Sequence, residues 1–226
     1  MRFVVIILVL LCAACHQETT SEFVPAHSRK VAVRLMDSLG VVTMYVPERY
    51  DTGFAWLHQS DCVPCHEMKC RFQPKSTPIK MDLCDLCLLS PVDSVDQLTI
   101  IYNPFGHPVP RGRRSNIDTT GMYQNRSSYQ YERENMKFWP PERKSAVLDT
   151  TYKIGDRPLQ VFGTREYDPE TKRYTYLLKA DTYVRFTDIR FECKLITDKQ
   201  DSISTHYIDD AAEALRSIRF STPLFR

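Results

Sequence analysis

Towards the end of this 226-residue chain, Ile189, Phe191, Cys193 and Leu195 alternate with Asp188, Arg190, Glu192 and Lys194. Successive side chains on a strand point to opposite faces, so a run of this kind buries one face and leaves the other in water. A helix would scatter the same residues round its circumference, and a strand buried on both sides has no place for four charges. The segment therefore commits the chain to a half-buried β-sheet with an apolar layer packed on one side.

Other runs extend that sheet. Lys30–Leu35 and Val41–Val46 are β-prone, and the Asp, Ser and Gly of Met36-Asp37-Ser38-Leu39-Gly40 between them supply turn chemistry, which predicts a hairpin. Gly53–His58, Gln97–Tyr102, Ala146–Ile154, Leu159–Gly163, Arg173–Lys179 and Thr182–Thr197 read as further strands, with Asp168-Pro169-Glu170-Thr171 as a turn. Ile208, Ala211, Ala212, Leu215 and Ile218 then fall at helical spacing. Asp209 and Asp210 stand near the start of that helix and Arg216 and Arg219 near its end, as the helix dipole favours. The predicted fold class is α+β, a mainly antiparallel β-sheet meander with a C-terminal amphipathic helix packed on it. Two segments stand apart: the cysteine-rich stretch 62–87, read as a loop, and 103–143, read as a long irregular excursion marked by prolines. The excursion carries the basic cluster Arg111, Arg113 and Arg114 and the tyrosine-bearing segment Tyr123–Arg133.

An early hairpin running into a proline-marked turn at Met44-Tyr45-Val46-Pro47-Glu48, then a meander, then the helix Asp209–Arg219, resembles the PsbP/Mog1-like α+β sandwich proteins. The resemblance rests on this pattern over about half of the chain. It implies a fold whose members serve mostly as assembly or binding factors, and it names no site.

The N-terminus has the three-part layout of a secretory signal: the cation Arg2, the apolar run Phe3–Leu11, and the small residues leading to Cys15. The apolar run is much shorter than the roughly 20 residues of a permanent membrane span. Cys12-Ala13-Ala14-Cys15 resembles the lipobox of bacterial lipoproteins, in which two small residues precede a cysteine that receives diacylglycerol and becomes the new N-terminus. The leucine usual three places before that cysteine is here Cys12, with Leu11 one place earlier. This resemblance implies a signal peptide over 1–14, lipidation at Cys15 with palmitate-type chains, and a station on an envelope membrane. The outer membrane is the expected one, with the protein facing the periplasm or the cell surface. Residues 15–27, rich in small polar side chains, read as a lipidated tether, and 28–226 as a single α+β domain. At about 0.8 kcal/mol per buried CH₂, several acyl chains anchor stably.

The formal charge is +2, and the signal peptide holds Arg2 and no acid. A chain so near neutrality does not suit nucleic acid, so the expected partners are the membrane, through the anchor, and an envelope protein.

The cysteine-rich stretch supports four competing readings. Cys62-Val63-Pro64-Cys65-His66 matches haem c attachment, with two thiols for the vinyl groups and His66 as an iron ligand. Cys62, Cys65, Cys84 and Cys87 form two C-x-x-C pairs separated by 18 residues, which suits a structural tetrathiolate zinc site. Cys62-Val63-Pro64-Cys65 also resembles the C-x-P-C dithiol of thioredoxin-like proteins, although Pro74 and Pro78 would cut short a helix after it. In an oxidising compartment the same four thiols serve as disulfide staples, with Cys70 left free or paired to Cys193. Cys193, on the apolar strand face, reads as a buried thiol packing as a small hydrophobe. No G-x-S-x-G, phosphate-binding glycine loop, H-E-x-x-H or calcium loop occurs, so nothing in the sequence supports enzymatic chemistry. Together these features describe an exported, lipid-anchored, non-catalytic binding or assembly factor of the envelope that needs no cofactor. The rival is a redox or electron-transfer protein using the C-x-x-C-H motif. A structural zinc-site protein is the third reading.

The intact mass of the exported chain, native and denatured, separates them. Acyl chains with only the hydrogens of disulfides missing is the expected result; an added haem, or metal seen only in the native spectrum, selects a rival.

Overall fold

The computed structural model describes residues 23–36, 39–59, 66–81, 94–104, 128–185 and 187–221. Among them the chain forms strands β1 (Ser28–Arg34), β2 (Val41–Pro47), β3 (Thr52–His58), β4 (Glu67–Gln73) and β5 (Val95–Tyr102), then helix α1 (Ser128–Asn135). Strands β6 (Lys144–Ile154), β7 (Arg157–Asp168), β8 (Arg173–Val184) and β9 (Thr187–Thr197) follow, then helix α2 (Ser202–Arg216) and the short β10 (Arg219–Phe220). Three strands make a small sheet in the order β1-β2-β10, and seven make a large one in the order β3-β4-β5-β9-β8-β7-β6. Every pairing is antiparallel, so the fold is α+β as the sequence predicts.

The alternation on β9 sets the layering. Ile189, Phe191, Cys193 and Leu195 are buried, and the register sets Phe191 between Ile100 of β5 and Ala180 of β8. Cys193 lies between Leu98 and Leu178 in the same way. Val42, Met44 and Val46 of β2 face this surface from the small sheet, and α2 adds Tyr207, Ala211, Ala214 and Leu215. Asp201 starts α2 through a capping box: its carboxylate accepts from the Ser204 amide at 3.0 Å while the Ser204 hydroxyl accepts from the Asp201 amide at 3.0 Å. The chain leaves α2 at Ser217, whose hydroxyl donates to the Ala214 carbonyl at 2.6 Å and accepts from the Tyr45 amide at 2.8 Å. This turn delivers β10 to β2.

Helix α1 lies on the opposite face of the large sheet and is held by polar contacts. The Tyr129 amide donates to Asp181 at 2.7 Å, the Tyr129 hydroxyl donates to Asp149 at 2.7 Å, and its ring meets Phe162 edge-on at 6.0 Å. Glu132 accepts from Lys179 at 2.8 Å and pairs with Lys144 at 3.5 Å.

Three sequence expectations need correction. The stretch 62–87 is not all loop, because β4 runs through it with Met68, Cys70 and Phe72 on the core side and Lys69 and Arg71 on the other. The excursion 103–143 contains α1 and a 3₁₀ turn, Met136–Phe138, which polar anchors stabilise in the absence of an apolar stripe. Thr182–Thr197 is not one strand: Arg185, at φ 47°, turns the chain from β8 into β9. The signal peptide 1–14, residues 15–22 of the tether, and Arg111, Arg113 and Arg114 lie outside the described residues.

Burial pushes the Glu132 carboxyl upward, but the hydrogen bond and charge of Lys179, joined by Lys144, outweigh it and hold the group below the ordinary glutamate range. A folded value below the unfolded one stabilises the fold above the unfolded pKa, near 4.3, and loses that contribution as pH falls through the folded value. Glu132→Gln should lower stability by about 1–2 kcal/mol at neutral pH. In urea titrations the gap between variant and parent should close as pH drops below about 4.

Candidate functional site

Most of the residues singled out by the cysteine pattern, Cys62, Cys65, Cys84 and Cys87, lie outside the described residues, as does Cys15. His66 is half-buried directly before β4. Cys70, between Ala55 and Ile100 in the register, is a free thiol that burial pushes up to about 11. Cys193 is also free, and burial with the nearby Glu192 and Asp96 charges raises it well above the ordinary thiol range. The two are therefore not bonded to each other.

A different set of side chains builds a cleft of about 300 Å³ where the chain enters the domain. One wall is Pro25, Ala26, His27 and Ser28; the second is the end of β2 with Tyr45, Pro47, Glu48 and Arg49; the third is Asp210, Glu213 and Ala214 of α2. Local hydrogen bonds shape the entering wall. His27 takes φ 49°, its carbonyl accepts from the Glu48 amide at 2.9 Å, and the Ser28 hydroxyl donates to the Pro25 carbonyl at 2.5 Å.

Beneath the cleft lies a part-buried polar network. Arg49 Nε donates to Asp96 Oδ2 at 2.9 Å and Arg49 Nη1 reaches Asp210 Oδ2 at 3.4 Å. The Tyr50 hydroxyl donates to the other Asp96 oxygen at 2.5 Å, and the Arg49 guanidinium stacks 5.0 Å from the centre of the Tyr50 ring. Arg29 also donates to the Tyr50 carbonyl. Burial drives the Tyr50 phenol well above its ordinary value, and the Asp96 charge adds to the effect. Burial would lower the Arg49 guanidinium, yet Tyr50, Asp96 and Asp210 outweigh it and hold it above its usual value. Tyr207 rises for the same first reason, burial, with Tyr50 next. Among the described residues, Arg49 Nη2 is buried with no partner within hydrogen-bond geometry.

The arrangement suits recognition. Tyr50 stays protonated and Arg49 charged across the accessible pH range, and both Asp96 oxygens are occupied, so these groups offer fixed donors and charges. Three carboxylates line the cleft, Glu48, Asp210 and Glu213, against one guanidinium that Asp96 already neutralises in part. The cleft is therefore acidic, with apolar relief from Pro25, Pro47 and the two alanines. Sequence reasoning missed it because Arg49, Asp96 and Asp210 are brought together from three remote segments. The one local signal is Pro47, which ends β2 and turns Arg49 inward.

No protein-family model matches the chain, and no curated protein matches it. Among solved structures, LpqN of Mycobacterium tuberculosis, involved in cell envelope biogenesis, is similar at 11% identity and a TM-score of 0.35, over 87% of this chain and 92% of that one. PA94 of Pseudomonas aeruginosa, a protein of unknown function, is similar at 8% identity and a TM-score of 0.31, over 83% and 94%.

A thiol displaced to about 11 carries little thiolate at pH 8. Peptide mapping after iodoacetamide treatment of the native protein should show Cys70 labelled roughly a hundredfold more slowly than an open thiol. Labelling at the ordinary rate would mean that β4 opens readily.

Proposed function

We propose that the chain is an exported, lipid-anchored protein of the bacterial cell envelope, held through Cys15, which works by binding and not by catalysis. Its binding site is the acidic cleft, and its ligand presents an amine or other cation to Glu48, Asp210 and Glu213 and an acceptor oxygen to Arg49. The observation that carries this reading is the orphaned Arg49 Nη2 beneath a cleft lined by carboxylates. A buried donor without an acceptor costs about 1–3 kcal/mol.

In this reading the cysteine-rich stretch is a structural staple. Two contacts support it. His58 of β3 is registered against Glu67 of β4, so the connection bearing Cys62 and Cys65 leaves and returns at neighbouring positions. Arg71 Nη1 donates to the Lys80 carbonyl at 2.6 Å, which ties the chain back against β4 four residues before Cys84. Strands on both sides of Cys62-Cys65-His66 also favour staples over the haem-attaching reading, which goes with small helical domains.

In a lipidation-competent bacterial host the protein should fractionate with membranes, and Cys15→Ser should release it to the soluble envelope fraction. On that soluble protein a lysine-bearing peptide should raise the thermal midpoint, and Asp210→Asn combined with Glu213→Gln should abolish the response. Equal responses to acidic and basic peptides would reject the ligand class.

A further inference from the structure

In α1 and directly after it, the chain leaves aromatic side chains in water. Phe138 is 83% exposed, Trp139 is 40% and Tyr131 is 56%. Neighbouring exposed aromatic side chains such as Phe138 and Trp139 suit a docking face.

This exposure is built, not frayed. The Trp139 amide donates to the Met136 carbonyl at 3.3 Å, closing the 3₁₀ turn. The prolines Pro140 and Pro141 follow, and the Pro140 carbonyl accepts from the Arg143 amide at 2.9 Å and the Lys144 amide at 3.1 Å. Lys144, paired to Glu132 and Glu166, sets its ammonium 5.8 Å from the centre of the Trp139 ring. A loop fixed in this way loses little entropy when it docks. Its flanks are the exposed cations Lys137 and Arg143.

Its place in the fold adds a second, independent observation. The loop opens into β6, the edge strand of the large sheet. Further along β6, Tyr152 lies under the guanidinium of Arg216, which also covers Phe23, at 5.7 and 5.1 Å from the two ring centres. Phe23 is eight residues after Cys15, a span of at most about 28 Å. From Lys144 to Tyr152 the strand advances about 26 Å. The entering chain and the aromatic loop thus lie near the two ends of edge strand β6, the first on the α2 side of the large sheet and the second on the α1 side.

We infer that the loop Lys137–Arg143 is a membrane-docking element. Phe138 and Trp139 enter the boundary between headgroups and acyl chains, where aromatic rings are favoured, and Lys137 and Arg143 meet anionic headgroups. This rests on the lipid-anchored reading, which places a bilayer within reach of the β6 edge.

The test uses the unlipidated Cys15→Ser protein with vesicles of phosphatidylethanolamine and phosphatidylglycerol at millimolar lipid. Trp56 is only 6% exposed, so a change in tryptophan emission reports Trp139. The expected result is a blue shift on adding vesicles, absent in Trp139→Phe. Phe138→Ser should weaken partitioning about tenfold. Lys137→Ser with Arg143→Ser should remove most of its salt dependence. An unshifted emission at every lipid concentration overturns the inference. So does light scattering that shows self-association abolished by Phe138→Ser, which would assign the loop to a second copy of this chain. Absence of acyl mass on Cys15 would sink the anchor but would leave the vesicle result standing, so the two failures are distinguishable.

Discussion

The Asp96 carboxylate is where the separate parts of this domain meet. It stands on β5 of the large sheet, accepts from Arg49 and Tyr50 of the segment leaving the small sheet, and through Arg49 is joined to Asp210 of α2. Two sheets and a helix are thereby fixed to one half-buried charge. Taking a carboxylate and a guanidinium out of water costs several kcal/mol each, and that cost is offset only when geometry and added hydrogen bonds are good. Both Asp96 oxygens are used, so the pair meets that condition on the carboxylate side. The guanidinium side keeps one donor unmatched. The apolar residues around the network, Tyr207 and Cys193 among them, would pack in many ways if only volume mattered. The contacts of Arg49 with Asp96 and Asp210 add directional constraints to that packing.

The large sheet is finished differently on its two faces. Its core side carries an unbroken apolar surface, from Ile100 through Phe191 to Ala180, and meets α2 and the small sheet by burial of hydrocarbon. Its other side carries Thr99, Arg190, Lys179 and Asp181, and α1 is fastened there by ion pairs and one tyrosine. Burial at roughly 25 cal/mol per Å² is non-directional, so the first contact tolerates sliding. Hydrogen bonds fail beyond a few tenths of an ångström, so the second sets position closely. The weaker, more directional side is the one that aims the loop following α1.

Period-two alternation on β9 and helical spacing on α2 were legible because each element buries one continuous face, and burial writes itself into the order of residues. The hairpin of β1 and β2 was legible for the same reason, with Gly40 at φ 87° where the turn asks for it. Strand β4 was hidden by its cysteines: Met68, Cys70 and Phe72 alternate as clearly as parts of β9, but Cys70 reads as a ligand or a staple before it reads as a core residue. Helix α1 was hidden because no stripe identifies it; Tyr129 is its one buried anchor among the described residues, and the rest of its hold is a charge pattern whose partners lie on β6 and β8. Beyond Pro47 the cleft left no mark in the sequence, since Arg49, Asp96 and Asp210 are ordinary surface-type residues until the fold closes round them.

One wall of that cleft, Pro25 to Ser28, is also the stretch through which the chain passes on its way towards Cys15. A molecule seated between this wall and α2 braces the first residues of the domain against it. By reciprocity of linked equilibria, whatever pulls the entering chain away from α2 weakens the seat by the same free energy that an occupant adds to holding the chain down. If the chain end is held as proposed above, occupancy of the cleft and tension on the entering chain act on one equilibrium.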